Sequence, residues 1–291
     1  MADTRPFRPY HYDPRRFDWG EVLTQPYDKI TPQMQERYYA SGPYNLIPVE
    51  KGRARPDDTP RDNIYTRAAR TLDGWIRDGV LVRRAEPAVF AYSQEYRLPG
   101  RRERRRRTAL LALGRVVDHS AGVVFRHERT LAAPKADRLE LLRRTRAQTG
   151  LLFMLYDDPA REVAPILGGF MERPAWVEFR DEDGIRCAVR AIDDPAAIDR
   201  LRSAMADKRL VIADGHHRYE TALAYRDERR AATGCSDPDA PHEWAMMAFI
   251  DARSEGLTVL PTHRVVSGVS GFDCTGGLFG AERLTAPRTP A

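Results

Sequence analysis

The sequence predicts an α/β fold of mixed α+β character, in which hairpins and crossover helices build one mixed sheet. Strand-like runs occur in pairs joined by turn residues, Ala88–Leu98 with Thr108–Leu113 and Trp176–Arg180 with Arg186–Arg190. From Lys135 onward, strand-like and helical patterns alternate, which sets helices against a sheet. The run Arg209-Leu-Val-Ile-Ala-Asp-Gly-His-His-Arg-Tyr-Glu-Thr-Ala-Leu223 then passes from an apolar strand through an acid and a glycine into a helix.

The opening through Glu50 is rich in Pro and Tyr and reads as loops, with a short helix at Pro32–Tyr39 and a strand at Asn45–Val49. Ile64, Ala68, Leu72, Trp75 and Ile76 recur at helical spacing, with Asp62 placed to cap that helix and Gly79 to stop it. The arginine run Arg101–Arg107 falls between two strands and reads as a solvated hairpin tip. Further on, the pattern gives a helix at Leu139–Arg146, a strand at Leu151–Tyr156 and a helix from Pro159 to Gly168. After the second hairpin come a helix at Pro195–Ala206, the strand and helix around Asp214, a strand at Trp244–Ile250 and the apolar run Leu257–Arg264. These elements divide into an N-terminal α+β region at 5–120, an α/β region at 121–266 and a Gly/Pro/Thr-rich tail at 267–291. The tail has no face to bury, so disorder is expected there.

Composition narrows the class. At 42% hydrophobic and 31% charged, the 291 residues are those of an ordinary soluble protein. The start of the chain has no signal-peptide core, and no run reaches the roughly 18 apolar residues that span a bilayer. A cytoplasmic protein without a membrane partner is expected. Cys187, Cys235 and Cys274 are odd in number and far apart, so neither a disulfide framework nor a zinc knuckle is signalled. The net charge of +5 would suit nucleic acid, but lysine occurs only at 29, 51, 135 and 208, and arginine supplies the other 43 of 47 basic residues. Interleaved with acids throughout, these arginines read as a codon bias rather than a nucleic-acid surface.

Three segments concentrate polar residues beside strand-like runs. In Asp214-Gly-His-His-Arg218 a helix begins, and the unpaired N–H groups and positive dipole end of a helix start favour an anion. Gly215 lets the backbone approach a ligand. Asp214 suits helix capping, a magnesium ion or a substrate proton. His216 and Glu220 share a helical face, so Glu220 is expected to orient His216, with Tyr219, Ala222 and Leu223 packing inward. The second segment is Phe125-Arg-His-Glu-Arg-Thr130, followed by Lys135 and Arg138 at a helix start. Adjacent residues of a strand face opposite ways, so His127 and Glu128 need not share a ligand. The third is Leu260-Pro-Thr-His-Arg264, and Pro26-Tyr-Asp28 and Pro43-Tyr-Asn45 are compatible with turn chemistry alone. Asp214, His127, His216, His217 and His263 are also compatible with a histidine/carboxylate metal site, but no His-Glu-x-x-His pair makes that signal specific, and no P-loop, Gly-x-Gly-x-x-Gly or Gly-x-Ser-x-Gly elbow is present.

Ala213–Leu223, Gln25-Pro-Tyr-Asp28, Ser41-Gly-Pro-Tyr-Asn45, His127-Glu-Arg-Thr130, Lys135-Ala-Asp-Arg138 and Leu260-Pro-Thr-His-Arg264 together resemble the bacterial and archaeal family called domain of unknown function 1015, over about residues 5 to 266. Members of that family generally continue with further strands and helices, so the Gly/Pro/Thr tail suggests a chain cut short. More distantly, the strand, Asp-Gly-His-His-Arg and helix resemble the nucleotide-contacting turn of the ParB/sulfiredoxin superfamily, which includes free-serine kinases. That resemblance implies a ParB/sulfiredoxin-like core and phosphates held at the helix start by Gly215, His216, His217 and Arg218, with Asp214 beside the transferred group as magnesium ligand or base.

The expected activity is phosphoryl transfer from ATP or ADP with magnesium to a small hydroxyl metabolite such as serine. Asp214, His216 and Glu128 are the expected catalytic residues; Lys135, Arg138, His263 and Arg264 complete the phosphate contacts, and His127, Tyr27 and Asp28 face the substrate. A metal-dependent phosphohydrolase on a small phosphomonoester would use the same basic cradle, and a nucleotide or phosphometabolite sensor would use it without turnover.

Overall fold

A computed structural model describes residues 2–128, 132–234 and 237–260. The N-terminal part contributes strands β1 (Thr4–Arg5) and β2 (Tyr10–Tyr12), then helices α1 (Trp19–Val22), α2 (Pro32–Ser41), α3 (Ile47–Glu50) and α4 (Ile64–Arg77), then β3 (Leu81–Arg83). The long hairpin follows as β4 (Val89–Arg97) and β5 (Arg104–Arg115), leading to β6 (Val124–Phe125), α5 (Ala132–Thr145), β7 (Leu152–Tyr156) and α6 (Val163–Met171). Strands β8 (Val177–Arg180) and β9 (Arg186–Ile192), helix α7 (Pro195–Met205), strand β10 (Leu210–Asp214), helix α8 (His216–Thr233) and strand β11 (Trp244–Asp251) complete the order.

Among the described residues, nine strands form one mixed sheet in the order β6-β10-β7-β11-β5-β4-β9-β8, with β1 pairing the far end of β5. The β6–β10 and β7–β11 pairs are parallel and the rest antiparallel. The mixed sheet with helices against it is therefore present.

Alternation of side chains across the pleat gives this sheet two apolar faces. Val89, Ala91, Leu110, Ala112, Leu152, Met154, Met247 and Phe249 join the inward residues of α6, α7 and α8 in the main core. The residues between them, among them Phe90, Ala109, Leu111, Ala248 and Ile250, with Tyr92 and Phe153 partly covered, line the other face. A third cluster of Tyr12, Val22, Val49, Leu72, Trp75, Val80 and Leu81 holds the N-terminal helices to one another. Helix α5 lies between α4 and α8 and ties that unit to the sheet.

Polar contacts seat α8. The buried Tyr219 hydroxyl donates to the Val117 carbonyl at 2.7 Å and accepts from the Val117 N–H at 3.1 Å. Arg226, equally buried, donates to the Val116 carbonyl at 2.8 Å and to Asp118 at 3.0 Å. Near the other end, Arg230 forks onto the buried Glu243 with two 2.6 Å hydrogen bonds.

Three local expectations are corrected. Asn45–Val49 is the approach to α3 and its first turns rather than a strand. The Asn45 carboxamide oxygen accepts from Ile47 N–H at 2.9 Å while its amide donates to the Glu21 and Leu23 carbonyls, and Pro48 sits where a helix needs no donor. The cap of α4 is Asn63, not Asp62: its side chain accepts from Tyr65 and Thr66, and the Thr66 hydroxyl accepts from Asn63 N–H, closing a capping box. Asp62 instead pairs with Arg70. In the long hairpin, Arg104–Arg107 belong to β5, and the tip is confined to 98–103. Cross-strand partners hold them there, Arg106 meeting Glu95 at 3.1 Å and Arg107 meeting Gln94.

Asp158, fully buried, accepts from Val163 N–H at 3.0 Å and faces Lys208 Nζ at 3.4 Å. Burial alone would raise its pKa, but the Val163 and Glu162 N–H groups and Lys208 outweigh it and hold the carboxyl below its ordinary value. Its stabilisation is therefore complete above the usual carboxylate range and is lost as pH falls through that lowered value. Lys208→Met leaves the buried carboxylate without its cation and is expected to destabilise the fold by about 3 kcal/mol, measured by urea unfolding at neutral pH. The deficit should shrink in acid.

Candidate functional site

The turn between β10 and α8 is shaped by two backbone irregularities. Opposite β7 the register shifts, with Ile212 facing Met154 and Asp214 facing Phe153, so Ala213 is an extra residue and the bulge re-aims Asp214. Gly215 then takes φ +92° and stands at the N-cap of α8 with no side chain capping the helix. A Cβ at Gly215 would lie 3.1 Å from Leu152 Cδ2 and 3.2 Å from Arg218 Nε. Asp214 does not cap. Its carboxylate accepts from Arg218 Nη2 at 2.7 Å, and Arg218 Nη1 donates to the Leu151 carbonyl, so the guanidinium is fixed across the turn.

Asp214 and Arg218 open onto a cleft of about 700 Å³ between the N-terminal helices and the second apolar face of the sheet. Trp19, Tyr92, Phe153 and Phe179 give it aromatic walls, and its rim is of mixed charge, with Lys29, Arg107 and Arg180 beside Asp181, Glu182 and Asp183. Tyr27 lines it too, its phenol raised above the ordinary value by burial against the opposing charge of Arg138. The Arg138 guanidinium lies 4.2 Å from the Tyr27 ring, donates to the Glu50 carbonyl at 3.0 Å and pairs with Asp137 at 2.7 Å. It belongs to a smaller apolar pocket of about 60 Å³, which shares Tyr27, Glu50, Thr149, Gly150 and Arg218 with the cleft. Asp28 is exposed in the neighbouring turn and does not line the cleft.

Two residues here escaped the sequence reading. Glu50 is a buried carboxylate hydrogen-bonded by the Thr149 hydroxyl and 3.7 Å from Arg138. Lys51 donates to the carbonyls of Tyr27 at 3.0 Å and Ile30 at 2.6 Å, and so fixes the Pro26–Tyr27 loop. The sequence signal that marks Lys51 is the rarity of lysine, which occurs at only four positions.

A second group gathers around His216. This ring is buried, its Nδ1 lies 3.0 Å from Glu128 Oε1, and the ring of His127 meets it edge-on with centroids 4.5 Å apart. Burial lowers the pKa of His216, with Glu128 opposing, so the imidazole sits below its ordinary value and is neutral at pH 7. His127 and Glu128 therefore share one centre. They follow the two-residue strand β6 in irregular backbone, where strand alternation no longer separates neighbours. Glu128, not Glu220, orients His216. Glu220 instead takes Arg126 at 3.1 Å and Lys135 at 3.5 Å. His217 is half-buried, and His263 and Arg264 lie outside the described residues.

The expected site residues thus divide between the two sides of the turn, Tyr27, Asp214 and Arg218 on the cleft and His127, Glu128 and His216 in the histidine group. A family model described as protein of unknown function (DUF1015) matches residues 4–276. The chain belongs to that family. The DUF1015 match runs past residue 266, where the motif-based likeness ended, and lends no support to a chain cut short. No curated protein and no solved structure matches the chain, so DUF1015 membership brings no assigned chemistry, and the ParB/sulfiredoxin likeness rests on the residues of the turn alone. Among the described residues no helix is long and apolar enough to cross a membrane.

Gly215→Ala tests the turn. A side chain at this positive φ, crowding Leu152 and Arg218, is expected to cost about 1–2 kcal/mol, seen as a lower Tm in thermal unfolding.

Proposed function

We propose that this DUF1015 protein is a nucleotide-dependent phosphoryl-transfer enzyme acting on a small hydroxyl metabolite, serine being the first candidate. One observation carries the reading: the 700 Å³ cleft meets the start of α8 at Asp214 and Arg218. A cleft of this size accommodates a nucleotide, and the aromatic walls suit a base. Arg218, pinned by Asp214 and the Leu151 carbonyl, needs no reordering to meet a phosphate, and the uncapped helix start favours the same charge. Phosphoryl transfer asks chiefly for such positioning and charge neutralisation. Asp214, largely exposed, would hold a magnesium ion beside the phosphates, and the nucleotide would supply the transferable group. The smaller pocket at Tyr27, Glu50 and Thr149 suits a compact hydroxyl compound next to it.

Thermal-shift titration with ATP, ADP and CTP, each with and without magnesium and serine, is expected to raise Tm with at least one nucleotide. A hundredfold excess over Kd corresponds to about 2.7 kcal/mol of stabilisation. Arg218→Ala should weaken that binding at least tenfold, while Asp214→Asn keeps binding and lowers turnover by about 100-fold or more. The absence of any nucleotide response removes the reading. Stabilisation by phosphoserine alone points to a phosphohydrolase, and nucleotide binding without product to a sensor.

A further inference from the structure

We propose that His127, Glu128 and His216 form a binding site for one divalent transition-metal ion of the zinc, iron or manganese class. One ligand atom from each of the three lies within 4.8 Å of the others. Two imidazoles and a carboxylate are the donor set of three-ligand zinc sites and of non-haem iron sites, whereas magnesium takes oxygen ligands almost alone.

The three residues differ in freedom. His216 is the fixed member, with 3% of its side chain exposed at the start of an 18-residue helix whose next turn is anchored through Tyr219. His127 and Glu128 are exposed. Ligands of a tetrahedral zinc, each about 2.0–2.1 Å from the ion, stand roughly 3.3 Å apart. The 3.0 Å between Glu128 Oε1 and His216 Nδ1 is already close to that separation, and His127 has only to move in from within 4.8 Å.

One further observation favours an ion over a plain hydrogen-bonded pair: a second imidazole, that of His127, stands edge-on to the His216 ring with centroids 4.5 Å apart, beside the same carboxylate. Among the described residues, Arg126 and Lys135 pair with Glu220, and the Glu128 carboxylate faces His216.

Three protein ligands leave coordination positions open, which is the pattern of a reactive site rather than a structural one. The assignment does not require the nucleotide reading, because its ligands are not those of the cleft.

The test uses the whole chain, stripped by chelator and titrated with Co²⁺ and Zn²⁺ in the absence of nucleotide. Expected are one ion per chain by calorimetry, a visible absorption band for the cobalt form, and at least a tenfold loss of affinity in both His127→Ala and Glu128→Gln. Both positions are exposed, so the variants should keep the unfolding transition of the metal-free parent. His216→Ala should abolish binding, and because that ring is buried its result counts only if circular dichroism matches the parent. Binding of neither ion, or equal affinity in the parent and the two exposed variants, overturns the proposal. A nucleotide response in the thermal-shift titration would survive that outcome, so the two readings fail separately.

Discussion

The Tyr219 hydroxyl, donating to and accepting from the same residue, Val117, is the contact on which the arrangement depends. It sits one turn into α8 and engages both backbone groups of the segment leaving β5. A buried hydroxyl costs free energy unless it is satisfied, and here both of its capacities are used. Arg226 repeats the attachment two turns later at Val116 and Asp118. Polar contacts of this kind tolerate little displacement, because sliding the helix by an ångström would strand several buried groups together. Apolar packing against the sheet supplies the cohesion, and this strip supplies the position. The start of α8, and with it Asp214, Arg218 and His216, takes its place from there.

Much of this was legible from the chain itself, for reasons that can be stated. Strands β7, β9, β10 and β11 and helix α7 announce themselves because each has one dominant apolar pattern and clear punctuation, such as Asp194-Pro195 ahead of α7. The Asp-Gly-His-His-Arg turn stood out because capping alone does not call for two histidines and an arginine. Legibility failed where a side chain bonds backbone close by. Asn45 converts an apolar run into a helical turn, and Asn63 rather than Asp62 satisfies the first N–H groups of α4. It failed again where distance along the chain hides proximity. Glu50 looks like the end of a short apolar run, and only the fold brings Thr149 and Arg138 to it, 99 and 88 residues away.

The histidine group shows a third kind of failure, in which a correct rule was applied to the wrong backbone. Opposed side chains are a property of extended strands, and β6 ends at Phe125, before His127 and Glu128 are reached. Irregular backbone permits neighbours to converge, which is one reason functional side chains favour loops. The acid expected to serve His216 from its own helix is occupied with Arg126 and Lys135.

His216 and Arg218 lie two residues apart at the head of one rigid helix, which separates them by about 200° around its axis. They consequently face different neighbourhoods, one the His127–Glu128 pair and the other the cleft. One rigid helical turn thus presents an imidazole to one neighbourhood and a guanidinium to the other, and the backbone between them fixes how far apart the two can stand.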